Sequence, residues 1–308
     1  MRVAPLADKG DDGKDPASKR GRRRRELFNT VRDIIIAAFA VILLLGGLFA
    51  YCGVWPPMVV IESSSMMHGA DSQLGVIDTG DLTLVKKADD RGGIVTYVEA
   101  ANRRDPNYGF KTYGDLGNVI IYRKSGQAGT PVIHRAIAWI EYNRSASDPA
   151  HGAYRGDLPD IGAYGVSQYT VTGLKCYYSG FKADTPFVID LSKIFSQMAQ
   201  YTTPHDGFVT HGDNNVERVD QQSLKVNERF VEPVKLEWVV GRAEGELPWF
   251  GLLKLWAGGQ PTQTFPPSSV QGLVVTIVLL VVVPVSVDIL IDRYRKRRKD
   301  RREARKKQ

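Results

Sequence analysis

The stretch with the most chemical promise in this 308-residue chain is Val59-Val60-Ile61-Glu62-Ser63-Ser64-Ser65-Met66-Met67-His68. An apolar, β-branched lead-in stops at three serines, and a strand ending in small hydroxyl residues can hold one hydroxyl at its tip with little steric cover. An unactivated serine is a poor nucleophile near neutral pH. It needs a base in contact, and a histidine base gains from a carboxylate that fixes its tautomer. Downstream the chain supplies His134, inside Pro131-Val132-Ile133-His134-Arg135-Ala136-Ile137, and Asp213 or Asp220, in and after Phe208-Val209-Thr210-His211-Gly212-Asp213-Asn214-Asn215. Each has an ordinary alternative when read singly: a Ser-rich turn, a histidine satisfied within a strand, an aspartate bonding its own turn.

The remaining histidines compete poorly for the role of base. His68 is too close in sequence to Ser65 to approach it freely from an extended strand, and His151 and His205 fall in polar stretches. His211 lies beside Asp213 but has no second histidine at ligand spacing, so no metal is expected. The two cysteines, Cys52 at the end of an apolar run and Cys176 far downstream, exclude a cysteine-based zinc framework, and no disulfide between them is expected. No Gly-rich phosphate loop is present, and no cofactor is expected.

These residues need a scaffold, and the pattern around them is mostly that of strands. Leu82 to Val85 alternates after the Asp78-Thr79-Gly80-Asp81 turn, and Ile94–Val98, Val119–Tyr122, Pro131–Ile140, Tyr169–Leu174, Phe187–Ile189, Phe208–Thr210 and Pro233–Gly241 are further strand candidates. Asp190–Met198 reads as a short helix. Polar, Gly-rich inserts at about 102–117 and 143–168 read as surface loops, and Asn143-Arg144-Ser145 matches the N-glycosylation pattern. The fold class expected is mainly β, a β-rich domain over 56–269 with loop insertions, a few short helices and two transmembrane helices.

Those two helices come from long apolar runs. Residues 34–55 are uncharged and span about 33 Å as a helix, enough for a hydrocarbon core of about 30 Å. The run is long for the apolar part of a cleaved signal peptide and reads as a retained anchor. Residues 270–291 form the second run, with Pro284 expected to kink it. The chain's net charge of +7 is concentrated in tails 1–33 and 292–308, which abut these runs, so the middle of the chain is acidic. That distribution argues against nucleic acid as a partner, which calls for basic residues spread over a folded face. Lys and Arg flanking a span are retained on the cytoplasmic side, so both tails are expected there and 56–269 outside. The Trp- and Leu-rich segment 246–257 suits a membrane interface, with a buried edge helix as the alternative.

Taken in order, four of these boxes resemble a known family. Glu62-Ser63-Ser64-Ser65-Met66 is similar to the Ser-Gly-Ser-Met box of type I signal peptidases, and Gly80-Asp81 before an apolar strand is similar to the next. Ile133-His134-Arg135 resembles the His-Arg box of the archaeal and endoplasmic-reticulum branch, where bacterial relatives carry lysine. Gly212-Asp213-Asn214-Asn215 with Asp220 resembles that branch's last box. The likeness covers about 59–221. Ser64 stands where the family has glycine, His68 where it has proline, and the Asp213–Asp220 interval is slightly stretched.

The resemblance implies a membrane-bound serine endopeptidase that removes N-terminal signal peptides from exported preproteins. It assigns Ser65 as nucleophile, His134 as general base, Asp220 as the orienting carboxylate with Asp213 in support, and Ser63 with the Ser65 N–H to the oxyanion hole. Either aspartate remains open as the orienter. Partners implied are signal-peptide-bearing preproteins and membrane lipid, with association with the translocation machinery a further expectation. Ser65 lies ten residues past Trp55 and therefore within about 33–36 Å of the bilayer edge even in a fully extended chain. A non-catalytic, double-anchored surface or assembly protein with the same fold is the alternative, and an enzyme restricted to surface-layer or pilin-like precursors is a third reading.

Overall fold

The computed structural model describes residues 16–142, 156–157, 174–176, 187–189, 191–215, 218–259 and 265–306. In chain order the helices are α1 (Pro16–Cys52), α2 (Tyr97–Ala101), α3 (Leu191–Tyr201), α4 (Asp220–Ser223), α5 (Gly251–Ala257) and α6 (Pro267–Lys306). The strands are β1 (Met58–Val60), β2 (Leu82–Lys86), β3 (Lys111–Thr112), β4 (Asp115–Leu116), β5 (Val119–Tyr122), β6 (Val132–Tyr142), β7 (Gly156–Asp157), β8 (Leu174–Cys176), β9 (Phe187–Ile189), β10 (Gly207–His211), β11 (Lys225–Val226), β12 (Arg229–Phe230) and β13 (Val239–Leu247). The glycosylation tripeptide, His151 and most of the 143–168 insert lie outside the described residues.

Two compact units divide between Tyr51 and Cys52. The first is the helical segment ending at Tyr51, whose apolar side chains from Ile34 to Leu45 are exposed. Within α1, Leu27–Cys52 is long and apolar enough to cross a membrane. The helix ends at Cys52 rather than at Trp55. Gly53 takes φ +68°, a left-handed conformation that glycine adopts without steric cost, and the Cys52 carbonyl is capped by the Lys87 N–H at 2.7 Å.

The second unit is built on an antiparallel sheet of order β1-β2-β13-β5-β6-β10, with β7 paired to β6. β5 is buried on both faces. Val119 and Ile121 enter one apolar cluster with Ile61, Met66 and Val85, while Ile120 and Tyr122 enter another with Ala136 and Phe208. That is the period-2 signature of a strand covered on both sides. In β2 the buried positions are Thr83 and Val85, with Leu82 and Leu84 half-exposed. α6 is an uninterrupted helix through Pro284, and Pro267–Arg298 is the second segment long and apolar enough to span a membrane.

Three sequence readings are corrected. Ile94–Val98 is no strand: Thr96 accepts from the Glu99 N–H and Glu99 reaches back to the Thr96 N–H, a capping box that starts α2. The 102–117 insert carries the β3–β4 hairpin, and its carbonyls line a buried guanidinium. The closing strand begins at Val239, because Leu236–Trp238 forms a 3-10 turn ahead of it. Segment 246–257 divides into the end of β13, a turn at Trp249 and α5. Leu252 and Leu255 are buried there against Phe265 and Leu273, while Leu253 faces outward.

Candidate active site

Ser65 lies in the turn that follows β1. The chain enters it from Ile61, which exchanges backbone hydrogen bonds with the Gly80-Asp81 turn: the Ile61 N–H donates to the Asp81 carbonyl and the Gly80 N–H to the Ile61 carbonyl, both at 2.9 Å. It leaves through Met66, 1% exposed in the cluster of Ile61, Ile77 and Val85. Burying a side chain of that size is worth about 1.5–3 kcal/mol, enough to pin the turn while Ser65 keeps a partly open face. Ser64, where glycine was expected by resemblance, does not adopt a positive φ, so serine fits its backbone. Its carbonyl accepts from the Met67 N–H at 3.2 Å and from Asn214 Nδ2 at 2.8 Å.

His134 sits in β6 opposite Ile120 of β5. Its Nε2 is 3.0 Å from Ser65 Oγ, and its Nδ1 is 2.6 Å from Asp220 Oδ2. Serine, imidazole and carboxylate thus form one continuous line, although the residues are separated widely in sequence. Ser63 Oγ lies 3.2 Å from Ser65 Oγ, on the exposed side of the turn.

Asp220 opens α4, behind the buried Val219. Two side chains that the sequence left within apolar strands converge with His134 on its Oδ2: Tyr122 donates its hydroxyl at 2.8 Å and Thr210 donates at 2.6 Å. The period-2 rule explains the convergence. Tyr122 is two residues from Ile120, the partner of His134, and Thr210 pairs with Ala136, two residues from His134. Gln221 then holds Thr210, accepting its N–H at 3.0 Å and offering Nε2 to its hydroxyl at 3.3 Å. A buried tyrosine in an apolar strand calls for a hydroxyl partner, and that was the signal available for Tyr122.

Burial pushes the Asp220 carboxyl up. The charge of His134, its hydrogen bond and that of Thr210 more than offset this, and the group lies below its ordinary value. Burial and the Asp220 charge hold the Tyr122 phenol well above its usual range, so it remains a donor. His211 is pushed down to about 4 by burial, partly countered by Asp220 and Asp213, and is therefore neutral around pH 7.

Asp213 has a different partner. It forms a two-pronged ion pair with Arg135, Nε to Oδ1 at 3.0 Å and Nη2 to Oδ2 at 2.5 Å, with both side chains fully buried. Arg135 Nη1 also reaches the Thr112, Asp115, Leu116 and Gly117 carbonyls at 3.0–3.3 Å. His68 Nε2 reaches Asp213 Oδ2 at 2.8 Å. His205 pairs with Glu232 at 2.9 Å and meets Trp238 edge-on, with ring centroids 5.2 Å apart. Among the described residues no group of three His, Cys, Asp or Glu is arranged to hold a metal ion.

The arrangement can activate a serine hydroxyl: a base touches it, a carboxylate fixes that base, and hydroxyl donors fix the carboxylate. Compared with known proteins, the chain matches no family model, no curated protein and no solved structure.

Proposed function

We propose that this protein is a membrane-bound serine endopeptidase that removes N-terminal signal peptides from exported preproteins, with a β-rich domain of signal-peptidase type. The observation that carries the reading is the unbroken line Ser65–His134–Asp220, at 3.0 and 2.6 Å. The order of the four boxes and the two apolar helices around the domain support it. Both basic tails lie in the cytoplasm, and residues 56–269 face the opposite side of the cell membrane.

In the reaction, Ser65 Oγ attacks the carbonyl carbon of the scissile bond while His134 Nε2 takes its proton. The oxyanion is received by the Ser65 N–H and the Ser63 hydroxyl; preorganised donors of this kind are commonly worth about 3–4 kcal/mol each. His134 then gives the proton to the leaving amine, the mature protein departs, and the signal peptide remains as an ester on Ser65. Water, deprotonated by His134, hydrolyses that ester and restores the serine. Asp220 keeps the Nδ1 proton in place and stabilises the imidazolium formed twice in the cycle.

Membranes carrying the protein are expected to shorten a preprotein to its mature form. N-terminal sequencing of the product should place the cut after a small residue, with another small residue two positions further back. Membranes that leave a panel of preproteins intact, while a control peptidase cuts them, would contradict the proposal. Cleavage confined to surface-layer or pilin-like precursors would narrow it.

A further inference from the structure

The turn that carries Ser65 is tied to the rest of the site at two further points, and both run through the segment after β10. Asn214 donates its backbone N–H to the Ser65 carbonyl at 2.8 Å and its side-chain amide to the Ser64 carbonyl at 2.8 Å. The residue before it, Asp213, receives His68 Nε2 on the same Oδ2 oxygen that receives Arg135 Nη2. Arg135 is the strand neighbour of His134. His68 therefore links the serine turn, by one side chain, to the ion pair that adjoins the base.

We infer that His68 is a positioning residue for Ser65, acting through Asp213 and resting on the reading of function above. The ring is placed for this: it is largely covered, and its Cε1–Nδ1 edge packs against the β3–β4 turn, where a Cβ on Gly114 would stand 3.0 Å from both atoms. Nε2 donates to Asp213, which also accepts from Arg135 Nε and Nη2. With His68 engaged, the chain from Ser65 to His68 is closed at both ends against Asn214 and Asp213. Without it, the turn keeps its hydrogen bonds to Asn214 and the packing of Met66 but loses its side-chain tie to Asp213. The Ser65 Oγ–His134 Nε2 contact of 3.0 Å is the distance that this closure protects.

The test uses the full-length protein in detergent with a purified preprotein, comparing wild type, His68→Leu and His68→Gln, each assayed below its melting temperature. Leucine fills the space without a donor, whereas glutamine keeps an N–H near the position of Nε2. The inference predicts that His68→Leu lowers kcat by about 10- to 100-fold with KM unchanged, as expected for a misplaced reacting group. It predicts that His68→Gln recovers kcat to within about threefold of wild type. A wild-type kcat in His68→Leu, a loss in His68→Gln equal to that in His68→Leu, or a change confined to KM would each overturn it. Wild-type protein that cleaves no preprotein would bring down the functional reading itself, a result distinct from all three.

Discussion

Asp213 pairs with Arg135, and Asp220 with His134, so two carboxylates close in sequence do different work. Asp213 is fully buried against a guanidinium whose other nitrogen is ringed by carbonyls of the β3–β4 hairpin. Breaking a buried pair by removing one charge leaves the other uncompensated, at a cost of about 3–5 kcal/mol. Asp213→Asn is therefore expected to lower the melting temperature strongly and to lose activity with it. Asp220→Asn is expected to keep a folded domain while kcat falls by on the order of 10⁴-fold, because the imidazole loses its tautomer control. Melting curves and kinetics on the two variants separate these outcomes. An inactive but fully stable Asp213→Asn would reverse the assignment.

Gly212 has no room for a side chain. A Cβ there would stand 2.7 Å from His134 Nε2 and 2.7 Å from the Ser65 carbonyl oxygen. Because one of those atoms is backbone, relief must come from moving the serine turn or the imidazole. Gly212→Ala is expected to cut kcat by about 100-fold, as a displacement of reacting groups near 1 Å does, with a modest loss of stability. Kinetics close to wild type in this variant would contradict the close packing of the turn after β10 on the site.

Tyr122 and Thr210 are expected to matter through Asp220. Tyr122→Phe and Thr210→Val each remove one donor from Asp220 Oδ2. A hydrogen bond to a charged group contributes about 1.5–3 kcal/mol, so each variant should melt measurably lower while retaining more activity than Asp220→Asn. Thermal melting that is unchanged in both would mean that the carboxylate does not depend on them.

Much of this site was legible in the sequence, and the parts that were not have physical reasons. Ser65 and His134 stand out because a hydroxyl cluster ending one strand and a histidine inside another are local patterns. Tyr122 and Thr210 do not, since their alignment with His134 depends on the registers of β5 and β10 against β6, which no single strand encodes. The choice between Asp213 and Asp220 turned on where Arg135 points. Thr96 and Glu99 did carry a helix-start signal, overridden in reading by the β-branched run Ile94-Val95-Thr96. His68 stands where the resemblance implies proline. A proline stiffens a turn from within the backbone, whereas here a side chain contacts a partner distant in sequence, and that pairing appears only in three dimensions.

Asp81 lowers stability progressively as pH rises from about 4 to about 7. Burial pushes its carboxyl up to about 7 from 3.8, against hydrogen bonds from the Trp249 and Asp78 N–H groups and with added repulsion from Glu246 and Asp78. The folded protein holds this proton where the unfolded chain has lost it, so the contribution is complete below the unfolded value and disappears as pH rises through 7. His211 acts with the opposite sign: its depressed value contributes stability above 6.5 that is lost as pH falls through about 4. Between about pH 4 and pH 7 the melting temperature of wild type is expected to fall with rising pH relative to that of Asp81→Asn, and the gap is expected to stay constant above about 7. An identical slope in the two proteins would remove Asp81 as the cause.

The central claim is that Ser65, activated by His134, cuts a preprotein. Purified wild type and Ser65→Ala, matched for melting temperature, are incubated with a preprotein and the products are resolved by mass. The account predicts a mature product and a released signal peptide with wild type and neither with Ser65→Ala. Cleavage by Ser65→Ala at the wild-type rate would contradict it.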